Sequence, residues 1–287
     1  MIETLTEKIL EETNLIDIID LMNLKTEYLK LHQSNKEIFD SFRCAAAIQQ
    51  GMLPQQRHFE RLFTEYFVLY HPQHIISGDF YWIGVKEETV FFSVSDCTGH
   101  GIGGAMLSVL GISFLNYIVY GKKHDSLVSI LEELDKKWIE TFNMYADKDK
   151  DNNWMELSLC SFNTRTRVLK FSGARSKVII INDEGEYVLE GERYPIGGWQ
   201  LEANRNFNET EMVLPPNSMI YLSSDGYKDQ LGGPKGKTMK EKRMREYISE
   251  LYYLPVNVQK AFLNMALNEW KGDNTQTDDV CVLGIRL

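Results

Sequence analysis

The chain lacks the cysteine and histidine spacings that build disulfide frameworks and zinc sites. Its 287 residues include four scattered cysteines, and no Cys-x-x-Cys or His-x-x-x-His pattern occurs. The cysteines are Cys44, Cys97, Cys160 and Cys281. Isolated cysteines of this kind indicate reduced thiols, so a disulfide-built secreted domain is excluded and a cytoplasmic protein is expected.

Positive charge and long hydrophobic runs are also scarce. The net charge is -10, and a nucleic-acid partner is excluded because phosphate backbones are bound by basic patches. No basic segment followed by a long apolar stretch opens the chain, so no signal peptide is predicted. The longest apolar stretch, 106–120, is interrupted by polar residues and is shorter than the ~20 residues of a membrane span. We therefore expect a buried helix there and no membrane span.

The first 53 residues predict a helical segment. They contain no glycine before Gly51, and Leu53-Pro54 ends the pattern. Asn14 and Ser34 are typical helix N-caps, and Ser34 with Glu37 fits a capping box, so a helical hairpin or arm is expected. An apolar stripe lies on one face and includes Leu15, Ile18, Ile19, Met22 and Leu29, with Phe39, Phe42 and Ile48 continuing it. Such a stripe most often covers its own domain, and the alternative is a homodimer through these helices.

Residues 54–287 predict an α+β domain. Apolar segments rich in Val, Ile, Phe and Tyr, separated by polar turns, predict eight strands at 65–70, 80–85, 89–94, 156–162, 168–171, 177–181, 219–223 and 280–285. Two helical blocks, 106–145 and 239–270, interrupt them. The expected fold is a two-sheet antiparallel β-sandwich flanked by helices, in α/β/β/α order, with the N-terminal helical segment attached.

Aspartates occur next to four of these predicted strands. They lie in Ser77-Gly78-Asp79, Ser95-Asp96-Cys97, Ser224-Asp225-Gly226 and Thr277-Asp278-Asp279. Taken alone, each is most often a turn, because glycine and aspartate favour turns. Carboxylates brought together from four stretches would repel one another unless a multivalent cation lay among them. The pattern therefore predicts a metal site.

The ligand type favours manganese or magnesium. Hard oxygen donors suit these ions, whereas zinc and copper normally bind imidazole or thiolate. Two such ions lower the pKa of a shared water and neutralise charge during in-line displacement. Phosphoester hydrolysis is therefore the predicted chemistry.

The same motifs carry a family resemblance. Gly-Asp-Phe-Tyr, Asp-Cys-Thr-Gly-His-Gly, Ser-Asp-Gly-Tyr-Lys-Asp and Gln-Thr-Asp-Asp-Val occur in this order. Together they resemble the SpoIIE-type bacterial branch of the metal-dependent serine/threonine protein phosphatases (the PPM family), over residues 45–287. The implied domains are a helical regulatory or dimerisation segment at 1–53 and a phosphatase domain at 54–287.

The resemblance implies roles for particular residues at a centre of two ions. Asp96 would bridge both ions, the main-chain carbonyl of Cys97 would complete one, and Asp79 would bind the first directly or through water. Asp225 and Asp278 would bind the second ion, with Asp279 supporting it or replacing Asp278 as ligand.

Two neighbouring segments are weaker candidates. His100 is a candidate general acid for the departing serine oxygen, and a loop histidine without a role is the alternative. The glycine-rich segment 232–237 is a candidate lid, with Lys235 and Lys237 positioned for a phosphate or an acidic partner; a simple loop is the alternative.

The resemblance also implies a function. A water bridging the metals would attack phosphoserine or phosphothreonine on a regulatory protein of the anti-sigma-factor antagonist (STAS) type, in a partner-switching pathway. Two alternatives remain: a non-catalytic scaffold that binds a phosphorylated partner, and a phosphoesterase of the same fold that acts on small molecules.

Overall fold

A computed structural model describes residues 2–99, 101–121, 126–143, 152–198 and 205–287, without the side chains of residues 2 and 9–19. The helices are α1 (Ile2–Met52), α2 (Gln56–Glu60), α3 (Gly101–Gly121), α4 (Leu127–Asn143), α5 (Gly226–Asp229), α6 (Glu241–Leu251) and α7 (Val256–Lys271). The strands are β1 (Glu65–His71), β2 (Phe80–Lys86), β3 (Thr89–Cys97), β4 (Trp154–Asn163), β5 (Val168–Ala174), β6 (Lys177–Asn182), β7 (Gly185–Glu190), β8 (Ile196–Gly197), β9 (Thr210–Val213), β10 (Met219–Ser223), β11 (Leu231–Gly232), β12 (Lys237–Thr238) and β13 (Val280–Arg286). The chain forms two compact units, Met1–Ala47 and Ile48–Leu287.

The N-terminal segment is one continuous helix, so the predicted caps at Asn14 and Ser34, and with them the hairpin, are wrong. Glu37 does not close a capping box, because its carboxylate accepts a hydrogen bond from Gln33 one turn earlier (2.8 Å). The Ser41 hydroxyl likewise donates to the Glu37 carbonyl within the helix (2.9 Å). Without glycine or proline to stop it, the helix continues through its weak formers.

The apolar side chains between Leu21 and Phe39 are exposed, whereas Phe42 is partly buried and Ala46 is buried. Met22 and Leu29 of the predicted stripe, and Phe39 after them, are each more than half exposed. The side chains of Leu15, Ile18 and Ile19 lie outside the described residues. The commoner role expected for this stripe, covering a core, is therefore not found for Met22, Leu29 and Phe39.

Two large antiparallel sheets form the centre of the second unit, and β11 and β12 form a separate two-stranded sheet. One has the strand order β1-β13-β10-β6-β7, and the other has the order β2-β3-β4-β5-β9 with β8 paired to β4. All eight predicted strands are present, and Met219–Ser223 has the predicted bounds. Five further strands (β7, β8, β9, β11 and β12) were not predicted.

Three apolar layers hold this unit together. Between the sheets lie side chains such as Phe92, Leu222 and Leu283. α3 and α4 cover the outer face of one sheet, with Trp138 in that layer, and α6 and α7 cover the other. Successive residues of β13 alternate between layers, as a strand with two buried faces requires. The predicted α/β/β/α sandwich is confirmed.

Helix α3 contains the longest apolar stretch. Among the described residues it is the one helix whose length and mean hydropathy (1.8) would suit a membrane span, and half of that window is buried inside the protein. Its side chains Ile112, Leu115 and Ile118 are fully buried beside β2. Length and hydropathy do not distinguish a span from a core helix of this kind.

Candidate metal centre

The four aspartate segments meet at one end of the sandwich, where their strands begin or finish. Phe80, which opens β2, pairs with Ser95 near the end of β3. In the other sheet Ser223, which ends β10, pairs with Val282 near the start of β13. Antiparallel pairing therefore places the start of β2 next to the end of β3 in one sheet, and the start of β13 next to the end of β10 in the other.

Asp79 is the most deeply buried of these carboxylates. Its side chain is 2% exposed, and its Oδ2 has no hydrogen-bond partner. Burial, and then the charge of Asp96, raises its pKa well above the usual range, and the nearby Ser224 hydroxyl partly offsets this rise. A buried carboxylate oxygen without a partner is costly unless the group stays protonated or binds a cation.

Asp96 and Cys97 end β3 beside this aspartate. Burial raises the pKa of Asp96 to about 8, with further contributions from Asp225 and Glu156. The main chain of Cys97 lies against Gly78, where its N–H approaches the Gly78 carbonyl (3.4 Å) and a Cβ on Gly78 would stand 2.9 Å from the Cys97 oxygen. The predicted bridging carboxylate and the predicted carbonyl ligand therefore lie next to the Asp79 segment.

Asp225 follows β10 and is one-third exposed. Burial raises its pKa, and Lys228, with Nζ 3.9 Å from Oδ2, lowers it. The next residue, Gly226, packs so closely on Asp279 that a Cβ there would lie 1.9 Å from the Asp279 carbonyl oxygen. Glycine at position 226 is thus required for close packing against the residues just before β13, in addition to the turn that the sequence suggested.

Asp278 and Asp279 differ in environment. Asp279 is buried, and its carboxylate accepts main-chain N–H bonds from Gln73 (2.7 Å) and Gly78 (2.7 Å). Asp278 is exposed, and its Oδ1 accepts the Asp279 N–H (2.8 Å). Asp279 therefore positions the segment that contains Asp79. The choice of Asp278 as the direct ligand, with Asp279 in support, stays a prediction.

The cavity beside the aspartates contains a carboxylate that the sequence analysis missed. It has a volume of about 420 Å³ and is lined by Asp96, Asp225 and Glu156, among others. Glu156 on β4 pairs directly with Asp96 across the sheet. Burial raises the pKa of Glu156 to about 7, against the opposing effect of Arg175. Only its position opposite Asp96 identifies it, because no motif surrounds it.

Gln49 is a second residue that the sequence did not reveal. Its buried side chain accepts a hydrogen bond from the Ser77 N–H (3.1 Å) and donates to the Ser77 carbonyl (2.6 Å) and to the Ser108 hydroxyl (2.7 Å). The Ser77 hydroxyl in turn accepts the Asp79 N–H (3.0 Å). The C-terminal end of α1 therefore fixes the main chain just before Asp79.

The carboxyl groups at this end of the sandwich are the donor type that Mg²⁺ and Mn²⁺ prefer. Asp79, Asp96 and Asp225 all have raised pKa values, so ionising them together without a counterion is unfavourable. In the part of the chain that the structure describes, no three His, Cys, Asp or Glu side chains are arranged so that they could hold one ion together. The three carboxylates lie at the same end of the sandwich, and a cation bound there would offset their mutual repulsion.

The two weaker candidates have different outcomes. His100 lies outside the described residues, so its role as general acid stays a prediction. The candidate lid at 232–237 is a short hairpin, because Gly232 pairs with Lys237. Gly233 donates its N–H to the Trp270 carbonyl (2.7 Å). The hairpin is therefore attached to α7, and its residues do not line the cavity described above.

A family model described as Stage II sporulation protein E (SpoIIE) matches residues 86–287. The chain belongs to the SpoIIE family. The match includes Asp96, Cys97, Asp225, Asp278 and Asp279, and it begins after Asp79. The resemblance stated from the motifs is confirmed.

Solved structures show the same fold. The SiaA-PP2C domain of Pseudomonas aeruginosa is 27% identical with a TM-score of 0.79, over 88% of this chain and 98% of that chain. The PP2C phosphatase domain of SpoIIE from Bacillus subtilis, with a fragment of its regulatory domain, is 15% identical with a TM-score of 0.63, over 78% of this chain and 63% of that one. RsbX in complex with magnesium is 14% identical with a TM-score of 0.53, over 77% and 94%. A comparison with curated protein sequences gives no match. The SpoIIE-family chain thus has the fold of PPM-type serine/threonine phosphatases.

The raised carboxyl pKa values predict a pH-dependent response to metal. Asp96 and Glu156 titrate in the fold near pH 8 and 7, above the ordinary carboxyl range near 4. The unfolded chain therefore loses these protons first, and the metal-free protein should lose stability as the pH rises from about 4 to 8. Manganese binds the ionised form, so it should raise the melting temperature more at pH 8 than at pH 6. Thermal melts with and without Mn²⁺ measure this, and a shift that is equal or larger at pH 6 contradicts it.

Proposed function

We propose that this chain is a manganese- or magnesium-dependent protein serine/threonine phosphatase. The observation that carries the proposal is the buried, unpartnered Oδ2 of Asp79 beside Asp96 and Asp225 at one end of the sandwich. Membership of the SpoIIE family supports the same chemistry. When bound, two divalent ions would supply an activated water and neutralise the phosphate charge.

The chain's own residues have separate tasks in this proposal. Asp79, Asp96, Asp225, Asp278 and the carbonyl of Cys97 would hold the ions. Asp279 fixes the Asp79 segment through the Gly78 N–H. Cys97 and Cys281 are not activated as nucleophiles, because burial raises the pKa of each thiol well above the usual range and keeps it protonated.

The proposed substrate is a phosphoserine or phosphothreonine on a STAS-type regulatory protein in a partner-switching pathway, within the cytoplasm. Support comes from the family and from the cavity beside the aspartates. Asp96 and Asp225 line this cavity together with three cations, Arg175, Lys177 and Lys228. Positive side chains around an acidic metal centre suit a dianionic phosphate.

The test is phosphate release from a phosphorylated STAS protein of the same organism. We expect turnover with Mn²⁺ or Mg²⁺ and none with EDTA. A small phosphomonoester, p-nitrophenyl phosphate, and metabolite phosphates are assayed in parallel. Binding of the phosphoprotein without turnover would indicate a scaffold, and turnover of metabolites alone would indicate a small-molecule phosphoesterase. Either result would overturn the proposal.

A second part of the proposal is that α1 pairs with α1 of another copy. Exposed apolar residues recur at intervals of three, four, three and seven, namely Leu21, Leu24, Tyr28, Leu31 and Ile38, each 50% or more exposed. This is the heptad spacing of a coiled coil, and Asn35 falls on the same seam at a position where asparagine favours a defined register. Met22 and Leu29 of the stripe predicted from sequence lie beside this seam.

Leu31→Glu is expected to convert the dimer to a monomer, because it would bury two unpaired charges at the seam. Light scattering at tens of micromolar protein measures the mass. Met22→Glu is the matched control, since it adds the same charge to an exposed apolar residue off the seam and should leave the dimer intact. A monomeric parent protein, or dissociation by Met22→Glu alone, contradicts this seam.

A further inference from the structure

The turn between β5 and β6 holds an arginine in an unfavourable backbone conformation. Arg175 has φ 51°, a left-handed value that residues other than glycine rarely adopt. Main-chain bonds to a neighbouring segment fix it: Arg175 N–H donates to the Glu192 carbonyl (2.6 Å), and Gly191 N–H donates to Ser176 (2.8 Å). Surroundings that enforce such a conformation suggest a functional reason for the side chain that it presents.

The Arg175 side chain is held in place from two sides. Its guanidinium lies over the Trp154 ring, 4.9 Å from the ring centre. Its Nε is 3.1 Å from Oε1 of Glu156. Stacking and ion pairing both limit the rotamers of a long side chain, so less freedom is lost when a ligand binds. The arginine nevertheless stays 46% exposed, which leaves its other donors accessible.

Among the described residues, Arg175 is the one guanidinium that lines the cavity, and its ion-pair partner Glu156 is adjacent to the proposed bridging carboxylate. Glu156 is the direct cross-strand neighbour of Asp96. Lys228 is paired with Asp229 (2.9 Å) and lies 3.9 Å from Asp225. Lys177, by contrast, is bound to both carboxylate oxygens of Glu241 (2.7 and 2.9 Å). The guanidinium is therefore positioned at the wall of the cavity that contains Asp96 and Asp225.

We propose that Arg175 binds the phosphate group of the phosphomonoester substrate at the metal centre. This inference rests on the proposed function. A guanidinium offers a planar pair of N–H donors that matches two phosphate oxygens, which an ammonium cannot do. The phosphate enters the cavity and accepts hydrogen bonds from the accessible N–H groups of Arg175. Because the Trp154 ring holds the guanidinium in place, the bound phosphate keeps one orientation, with its phosphorus facing the aspartates.

The test separates phosphate binding from turnover. Binding of inorganic phosphate to the Mn²⁺-loaded full chain is measured by calorimetry, and KM and kcat are measured with p-nitrophenyl phosphate. Arg175→Ala should weaken phosphate binding and raise KM by ~10-fold or more, because charged hydrogen bonds are lost. Arg175→Lys, which keeps the charge but not the paired donors, should recover only part of the affinity. All variants are compared at saturating Mn²⁺, because Arg175 also lowers the pKa values of Glu156 and Asp225 beside the proposed ions.

Arg165→Ala is the matched control, because Arg165 also forms an exposed ion pair, with Glu88 (2.9 Å), at the opposite end of β4 and β5. It should leave phosphate affinity unchanged. Equal phosphate affinity in Arg175→Ala and the parent, an equal loss in Arg165→Ala, or no phosphate binding by the parent at millimolar concentration overturns the inference. A parent that binds phosphate through Arg175 without hydrolysing any phosphoester keeps the inference and removes the phosphatase function instead.

Discussion

Asp96→Asn is expected to lower turnover at least ~100-fold while the fold is retained, because it removes the charge that would be shared by both ions. Asparagine has the same shape, so the strand pairing of Asp96 with Glu156 is preserved. Phosphate release under saturating Mn²⁺ measures the loss. A control variant, Asp273→Asn, alters an exposed aspartate beyond the end of α7 and should keep full activity.

The same variant should also be more stable than the parent when metal is absent. The pKa of Asp96 is raised to about 8, so its ionised form opposes folding above that pH, and a neutral amide removes the cost. Melting temperatures in EDTA at pH 8.5 test this. Near-parental turnover contradicts the two-ion centre, and a metal-free melting temperature below that of the parent contradicts the electrostatic account of Asp96.

Strands with two buried faces could be predicted from the sequence. Residues of β10 and β13 form nearly unbroken apolar runs between turn residues, and both were recognised within one or two residues of their ends. β7 and β9 were missed because they are edge strands with mainly exposed polar residues. Such strands are defined by their neighbours' hydrogen bonds, which leave little pattern in the sequence.

The candidate site also contains residues that could be predicted from the sequence and residues that could not. Asp79, Asp96, Asp225, Asp278 and Asp279 were recognisable because each stands beside a strand in a turn motif. Glu156 and Gln49 carry no such signal. Glu156 becomes relevant through its pairing with Asp96 in the sheet. Gln49 becomes relevant through hydrogen bonds to Ser77, 28 residues away in sequence.

Errors in the N-terminal segment have a local cause. Ser34 and Glu37 satisfy the spacing of a capping box, but the same residues also fit within a helix. An N-cap forms where a helix begins, and no glycine or proline before Ser34 interrupts the preceding helix so that a new one could begin there. Local propensity therefore predicted the helix correctly and its interruption wrongly.

Gly226→Ala is expected to separate the two halves of the second proposed ion site. The added Cβ would stand 1.9 Å from the Asp279 carbonyl oxygen and 3.3 Å from Cβ of Asp278. The nearest atoms belong to the main chain of Asp279, just before β13, and cannot rotate away, so the turn after Asp225 has to move. Gly226 does not have a positive φ, so alanine adds no backbone strain there, and the effect isolates close packing.

A displacement of this kind moves Asp225 away from Asp278, and misplacement by about 1 Å can cost ~100-fold in turnover. We expect a loss of that size, a higher Mn²⁺ requirement and a lower melting temperature. Gly51→Ala is the matched control, because a Cβ at that helical position meets nothing within 4 Å and alanine favours the helix. Parental turnover and metal requirement in Gly226→Ala would show that the junction of β10 and α5 does not set the distance between these two carboxylates.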